Sequence, residues 1–154
     1  MSDTSVHMLA TSDAGQEIPP QPFPDVNTDG FWAATRRGEL AICRCRECRG
    51  WMHPPLERCR LCGAATAFET VTGSGRIHSF IVMHRASVPG LREVPYAIVL
   101  VDLDDAPGIR LTGILAAPAP SYAVIGAAVR ARIVEVPGGN FHAPEWVLAD
   151  EPRD

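Results

Sequence analysis

The chain has 154 residues, enough for one small domain or two very small ones. Its formal charge is -4, from 18 acids against 14 basic residues, every one an arginine. A chain built to contact phosphates carries an excess of positive charge, so general nucleic-acid binding is disfavoured. No apolar run approaches the ~20 residues that span a bilayer, and no basic start precedes an apolar block, so neither a membrane span nor a signal peptide is expected. The expected compartment is the cytoplasm, where five cysteines point to metal or reactivity before disulfides.

Residues 1–22 are polar, proline-containing and aperiodic, which predicts a disordered arm. An N-terminal helix is expected within 23–38. Asn27, Thr28 and Asp29 are its capping candidates and Gly38 its stop. Phe31 and Trp32 near its start would anchor it, on its own domain or on a partner chain, because so short a helix is marginal alone. Arg36 and Arg37 near its end suit the helix dipole.

Residues 39–68 hold two CxxC pairs, Cys45/Cys48 and Cys59/Cys62, separated by ten residues. Each pair is a tight turn that aims two thiolates at one point, and two such turns make a tetrahedral four-cysteine site for one structural zinc ion. Gly50 and Gly63, after the pairs, are expected to permit the backbone bends. With all four positions filled by protein, such a centre folds a segment and leaves no place for substrate. In small peptides that binding is worth ~10–16 kcal/mol. Cys43, on the same side of a strand as Cys45, is an alternative ligand, and His53 beside Pro54-Pro55 is another. Seven arginines between 36 and 60 either balance the charge of the metal centre or meet an anionic ligand.

From 69 to 150 the pattern is strands and turns. Five strands are expected: Arg76–His84, with Ile77, Ser79, Ile81 and Met83 on one face; Tyr96–Leu103, buried on both faces; Arg110–Leu115; Val129–Val136; and Phe141–Leu148, after the Pro137-Gly138-Gly139-Asn140 turn. That number of short strands fits a small closed or half-closed barrel. The fold class is therefore mainly β: a short N-terminal helix, a four-cysteine zinc ribbon and a five-stranded barrel. Gly73 to Arg76 precedes a strand, not a helix, so it reads as a hinge and not a phosphate loop.

No nucleophile and base announce themselves. Ser79, Ser87 and Ser121 lack a GxSxG setting. His78 and His84, six residues apart on one strand, would be ~20 Å from each other. His78 reads as a partly buried barrel residue, and Asp102, Asp104 and Asp105 as a turn. The best ligand- or partner-facing group is His84, Arg85, Arg92 and Tyr96 around the loop from 86 to 94, with Phe31 and Trp32 on the helix.

The ordered set FW…RRGEL, CxxC…PP…CxxCG, GSGRIHSF, PYAIVLVDLD and IGAAVRARIVEV resembles a family of acyl-CoA-associated proteins that join a rubredoxin-like zinc ribbon to an OB-fold barrel. The resemblance covers roughly residues 23–136. It implies a non-catalytic accessory subunit in a hetero-oligomer that binds acyl-CoA, assembles with a thiolase-like, lipid-transfer-type aldolase or hot-dog hydratase enzyme of lipid, steroid or polyketide metabolism, or does both. The competing readings are an OB-fold nucleic-acid binder and a self-sufficient acyl-CoA enzyme.

Overall fold

Asp25 turns the chain into the helix. Its carboxylate accepts the Asn27 and Thr28 amides at 3.1 and 2.9 Å and the Thr28 hydroxyl at 2.8 Å. Helix α1 then runs Asp29–Arg36, inside the expected span, with Thr28 at its N-cap. It ends where Gly38 adopts a φ of +78°, a conformation that costs glycine least. The structure, a computed structural model, describes residues 18–86, 88 and 92–150. The expected arm therefore lies outside the described residues up to 17. Residues 18–22 are not a free arm: Pro19 is buried, and the Gln21 side-chain amide donates to Pro137 O at 3.0 Å. The strip is held because the turn after the seventh strand offers it a carbonyl and an apolar seat.

The ribbon is a three-stranded antiparallel sheet of β1 (Leu40–Cys45), β2 (Trp51–Met52) and β3 (Thr66–Val71), in the order β2-β1-β3. The second sheet contains β4 (Ser74–Met83), β5 (Tyr96–Leu103), β6 (Arg110–Ile114), β7 (Ala128–Glu135) and β8 (His142–Leu148), in the order β6-β5-β4-β7-β8 with every neighbour antiparallel. These are the five strands expected from the sequence. The ladder is not closed all round. A single parallel bridge, Leu115 to Trp146, joins its two ends, with the Ala116 amide donating to Trp146 O at 2.7 Å. A 3-10 turn at Pro120–Tyr122 lies between β6 and β7.

β4 departs from the expected alternation. Its register against β5 shifts between Ile77 and Ser79, so His78 is an extra residue on that strand. A bulge of one residue moves every later side chain to the other face. Ile77 is buried and Ile81 is 58% exposed, so Ile77, Ser79, Ile81 and Met83 do not share a core face. The same shift undoes the spacing that would put His78 and His84 on one side.

Leu40, Ile42 and Val71 of the ribbon belong to the same buried cluster as Val99, Val101, Leu111, Val129 and Trp146 of the barrel. Ribbon and barrel thus share one core. Trp146 is fully buried, and its indole lies over Gly113, where a Cβ would come within 2.7 Å of Nε1 and 3.3 Å of the Pro144 carbonyl. Gly113→Ala is expected to overpack this spot and destabilise the protein by about 1–3 kcal/mol, read as a lowered thermal midpoint; an unchanged midpoint would mean that β6 and β8 do not approach as closely as this.

Candidate metal centre and the cleft beside it

The two knuckles meet because β1 delivers Cys45 at its end, while a short bridge between Arg58 and Ala65 closes the second knuckle against the first. The sulfurs of Cys45, Cys48, Cys59 and Cys62 all lie within 4.8 Å of one another. Cys45 Sγ is 3.5 Å from Cys62 Sγ, and Cys48 Sγ is 3.6 Å from Cys59 Sγ. A tetrahedron with Zn–S of ~2.3 Å has edges of ~3.8 Å, so these separations suit a shared cation and are far too long for a disulfide. The left-handed bend after the second pair falls on Gly63, at φ +74°, as expected. After the first pair it falls on Arg49, at φ 60°, and not on Gly50. Gly50 instead sits close: a Cβ there would be 3.5 Å from Cys48 Sγ and 3.4 Å from Leu61.

The thiols influence one another. Burial opposes the Cys45 thiolate, but the amides of Glu47 and Cys48 and the neighbouring thiols of Cys62 and Cys48 outweigh it and lower the pKa to about 6. At Cys48 the Gly50 amide favours the thiolate, yet the sulfurs of Cys45, Cys59 and Cys62, with burial, push the pKa up to about 12. The amides of Leu61 and Cys62 lower Cys59. Four thiolates this close repel, and a divalent cation relieves that repulsion, so the donor set fits zinc. Cys43 is outside the group: it is buried, and its thiol donates to the Leu56 carbonyl at 3.5 Å. Two of the seven arginines between 36 and 60 are occupied by Glu69, which accepts Arg44 at 2.7 Å and Arg49 at 2.6 Å. Arg44 also lies over the Trp51 ring at 4.2 Å.

Beside the ribbon, helix α1 bridges to the barrel. Phe31 and Trp32 meet edge-on at 5.0 Å, and Trp32 meets Phe141 edge-on at 5.7 Å. Phe31, Trp32, Ile42, Phe68, Leu111 and Pro144 line a cleft of about 380 Å³, and His53 forms part of its wall. His53 stands outside the group of four sulfurs, on the loop before Pro54, and desolvation there lowers its pKa from 6.5. Only the fold brings it to Phe31, from 22 positions away in sequence.

Of the other expected group, Arg92 and Tyr96 line one cleft of about 270 Å³ with Pro95, Leu115 and Pro120, and His84 and Arg85 are not among its lining residues. Tyr96 is buried in β5, 6% exposed and paired with Met83. Arg92 faces Glu145 at 3.8 Å, a carboxylate also held by Arg132. His84 and Arg85 are exposed. Sequence reasoning also missed a charged cluster. His78, pushed out by the bulge and exposed instead of partly buried, has Nδ1 2.9 Å from Asp102, and Arg110 Nε donates to the same carboxylate at 2.7 Å. Asp102 belongs to β5 and not to a turn. The signal that could have found it is the register pairing of Asp102 with Arg110 across β5 and β6.

Comparison with known proteins meets this geometry. Residues 32–69 match the family model for the ChsH2 rubredoxin-like zinc ribbon domain, and residues 68–134 match that for the ChsH2 C-terminal OB-fold domain. The chain belongs to the ChsH2-type zinc-ribbon and OB-fold family. It is 37% identical over 110 residues to a protein of Thermomonospora curvata named as a probable enoyl-CoA hydratase alpha subunit, covering 69% of this chain and 33% of that protein. It is 32% identical over 126 residues to the 3-oxo-4,17-pregnadiene-20-carboxyl-CoA hydratase alpha subunit of Mycobacterium tuberculosis, covering 81% of this chain and 39% of that one. The chain thus spans a third to two fifths of the length of these curated relatives. Its fold also matches a chain of a solved structure titled Ltp2-ChsH2(DUF35) aldolase, with a TM-score of 0.76 and 29% identity, over 84% of this chain and 99% of the other. No described helix is long and apolar enough to cross a membrane.

Asp102 supplies a pH test of the family's barrel in this chain. Arg110, and then His78, hold its carboxyl below the ordinary 3.8. A depressed carboxylate pKa stabilises the fold above the unfolded value, and that stabilisation is lost as pH falls through the folded one. Asp102→Asn is expected to be less stable than the parent at neutral pH, by a modest amount because the group is exposed. The gap should close as pH falls from 3.8 through the lowered folded value. Denaturation midpoints of the two proteins across that range check it, and a gap that persists in strong acid would refute the assignment.

Proposed function

We propose that this chain is a non-catalytic accessory subunit that assembles with a thiolase-like, aldolase or hydratase enzyme acting on acyl-CoA, its ribbon held by one zinc ion on Cys45, Cys48, Cys59 and Cys62. The observation that carries the reading is the likeness of ribbon and barrel together, over 84% of the chain, to a chain of a two-component aldolase. The site chemistry agrees with it. Four protein sulfurs complete a tetrahedral zinc site and leave no position for water or substrate, so the metal would supply folding and no reaction step. The nearest approach to an acid–base group, His78 with Asp102, lies on the exposed sheet surface away from the cleft-lining residues. The outer face of β5 and β6, where OB barrels stack nucleotide bases, carries Ile98, Leu100, Asp102, Arg110, Thr112 and Ile114; its one arginine is paired with Asp102 and it shows no exposed aromatic ring, which speaks against nucleic acid.

The residues proposed to face acyl-CoA or the partner are Phe31 and Trp32, at the cleft, and His84, Arg85, Arg92 and Tyr96, around the β4–β5 loop. Of these, Tyr96 would act through packing, because it is buried. The outward apolar side chains of Val124, 57% exposed, and Ile125, 66% exposed, are the kind of surface an obligate subunit covers.

Two measurements test the reading. Elemental analysis of the purified chain should find about one zinc per molecule, and Cys59→Ala should abolish it and unfold the ribbon; full metal content in that variant would refute the ligand set. Co-expression with the aldolase or hydratase subunit encoded by the same host should yield one species by size-exclusion chromatography. The chain alone should have neither activity, and the enzyme should lose activity or solubility without it. Separate elution of the chain from both enzymes would overturn the accessory role.

A further inference from the structure

The four cysteines differ in exposure. Cys45 and Cys59 are buried, 0% and 3% exposed, whereas Cys48 and Cys62, the second cysteine of each knuckle, are exposed residues. Each exposed cysteine has its sulfur beside that of a buried one from the opposite knuckle: Cys62 Sγ is 3.5 Å from Cys45 Sγ, and Cys48 Sγ is 3.6 Å from Cys59 Sγ. A zinc-bound cysteine is a thiolate, and thiolate character with access decides which cysteine meets an oxidant. Leu61, the large side chain beside Gly50 and the second knuckle, is itself three-quarters exposed and gives little cover.

We propose, on the basis of the zinc reading above, that Cys48 and Cys62 are the sites at which hydrogen peroxide oxidises this protein, and that the bonds formed cross between the knuckles, Cys45–Cys62 and Cys48–Cys59, with release of the metal. In each case the exposed thiolate attacks a peroxide oxygen, breaking the O–O bond to give a sulfenic acid and hydroxide. The facing thiolate then attacks the sulfenic sulfur and displaces a second hydroxide. Two protons from solvent convert both hydroxides to water. Two sulfurs thus lose two electrons in total, and one peroxide is reduced to two waters. Closing a disulfide from these separations requires a movement of ~1.5 Å, within the reach of a side-chain rotation. Zinc is held by thiolate and not by disulfide, so it departs as the ligands are consumed. A thiol reductant and fresh zinc reverse the change.

The experiment begins with the zinc content of the purified full chain, so that the two ideas are judged apart. A chain that carries no metal overturns the zinc reading and this inference with it. The metal-loaded chain is then treated with hydrogen peroxide while zinc release is followed with a metallochromic dye. Disulfides are mapped by mass spectrometry under non-reducing conditions, and a brief iodoacetamide pulse before oxidation ranks the thiols. The expected result is alkylation of Cys48 and Cys62 severalfold ahead of Cys45 and Cys59, zinc loss in step with thiol loss, cross-knuckle bonds, and recovery with reductant and zinc. Cys43→Ala, which removes a thiol outside the group of four, should give the same bonds. Metal retained under peroxide, bonds within a knuckle such as Cys45–Cys48, a bond to Cys43, or alkylation that starts at the buried pair would each overturn the inference while leaving the zinc reading intact.

Discussion

One six-residue strand, β1, has to satisfy two cores at once. Alternate side chains on a strand point to opposite faces. Leu40 and Ile42 enter the barrel core, while Cys43 and Cys45 enter a second cluster with Met52 and Cys59. Because both faces are committed, the strand cannot slip by one residue without placing leucines at the sulfur site and thiols in the barrel. Its register with β3, from Leu40 opposite Val71 to Cys45 opposite Thr66, is therefore fixed from two sides. The metal site and the barrel are coupled through this strand.

The rest of the architecture follows from that coupling. The thiol cluster is small and holds only Met52, with Ala64 and Phe68 packed at its edge, too little apolar surface to hold a ribbon without a cation. The barrel side is large, but its ladder leaves β6 and β8 joined by one bridge. Helix α1 covers the same region, with Phe31 packed against the core and Trp32 against Phe141. An eight-residue helix is not stable by itself; here it is a wedge between ribbon and barrel, and the cleft of about 380 Å³ lies where its packing ends.

Two carboxylates tie this scaffold together across its strands. Glu69 links Arg44 on β1 to Arg49 in the first knuckle, bracing the sheet against the metal turn. Asp102 does the same across β4, β5 and β6 by holding His78 and Arg110. Both carboxylates are exposed and their contributions to stability are modest. Their value is in orientation: each ties a strand to a neighbour at a fixed position. The scaffold thus has four sulfurs gathered at one point, a core shared by ribbon and barrel, and exposed apolar residues at its loops.

The local features were legible in the sequence. The two CxxC turns, the five strands to within a residue or two, and the short helix with its Gly38 stop depend on spacing and turn chemistry that neighbouring residues settle among themselves. The family resemblance drew on the same short patterns in their order. What the tertiary structure alone decided depends on contacts between distant segments. The bulge that exposes His78 comes from pairing with β5, and no period within β4 announces it. The anchoring of residues 18–22 depends on a turn more than a hundred positions away. Tyr96 and Arg92 line one cleft but differ in exposure, because one is drawn into a ladder and the other reaches toward Glu145 on a different strand. The left-handed bend at Arg49, where glycine was expected next door, shows the same principle at its smallest scale: a metal-site turn is shaped by where its sulfurs must point, and the residue that happens to stand at the bend accepts the strain.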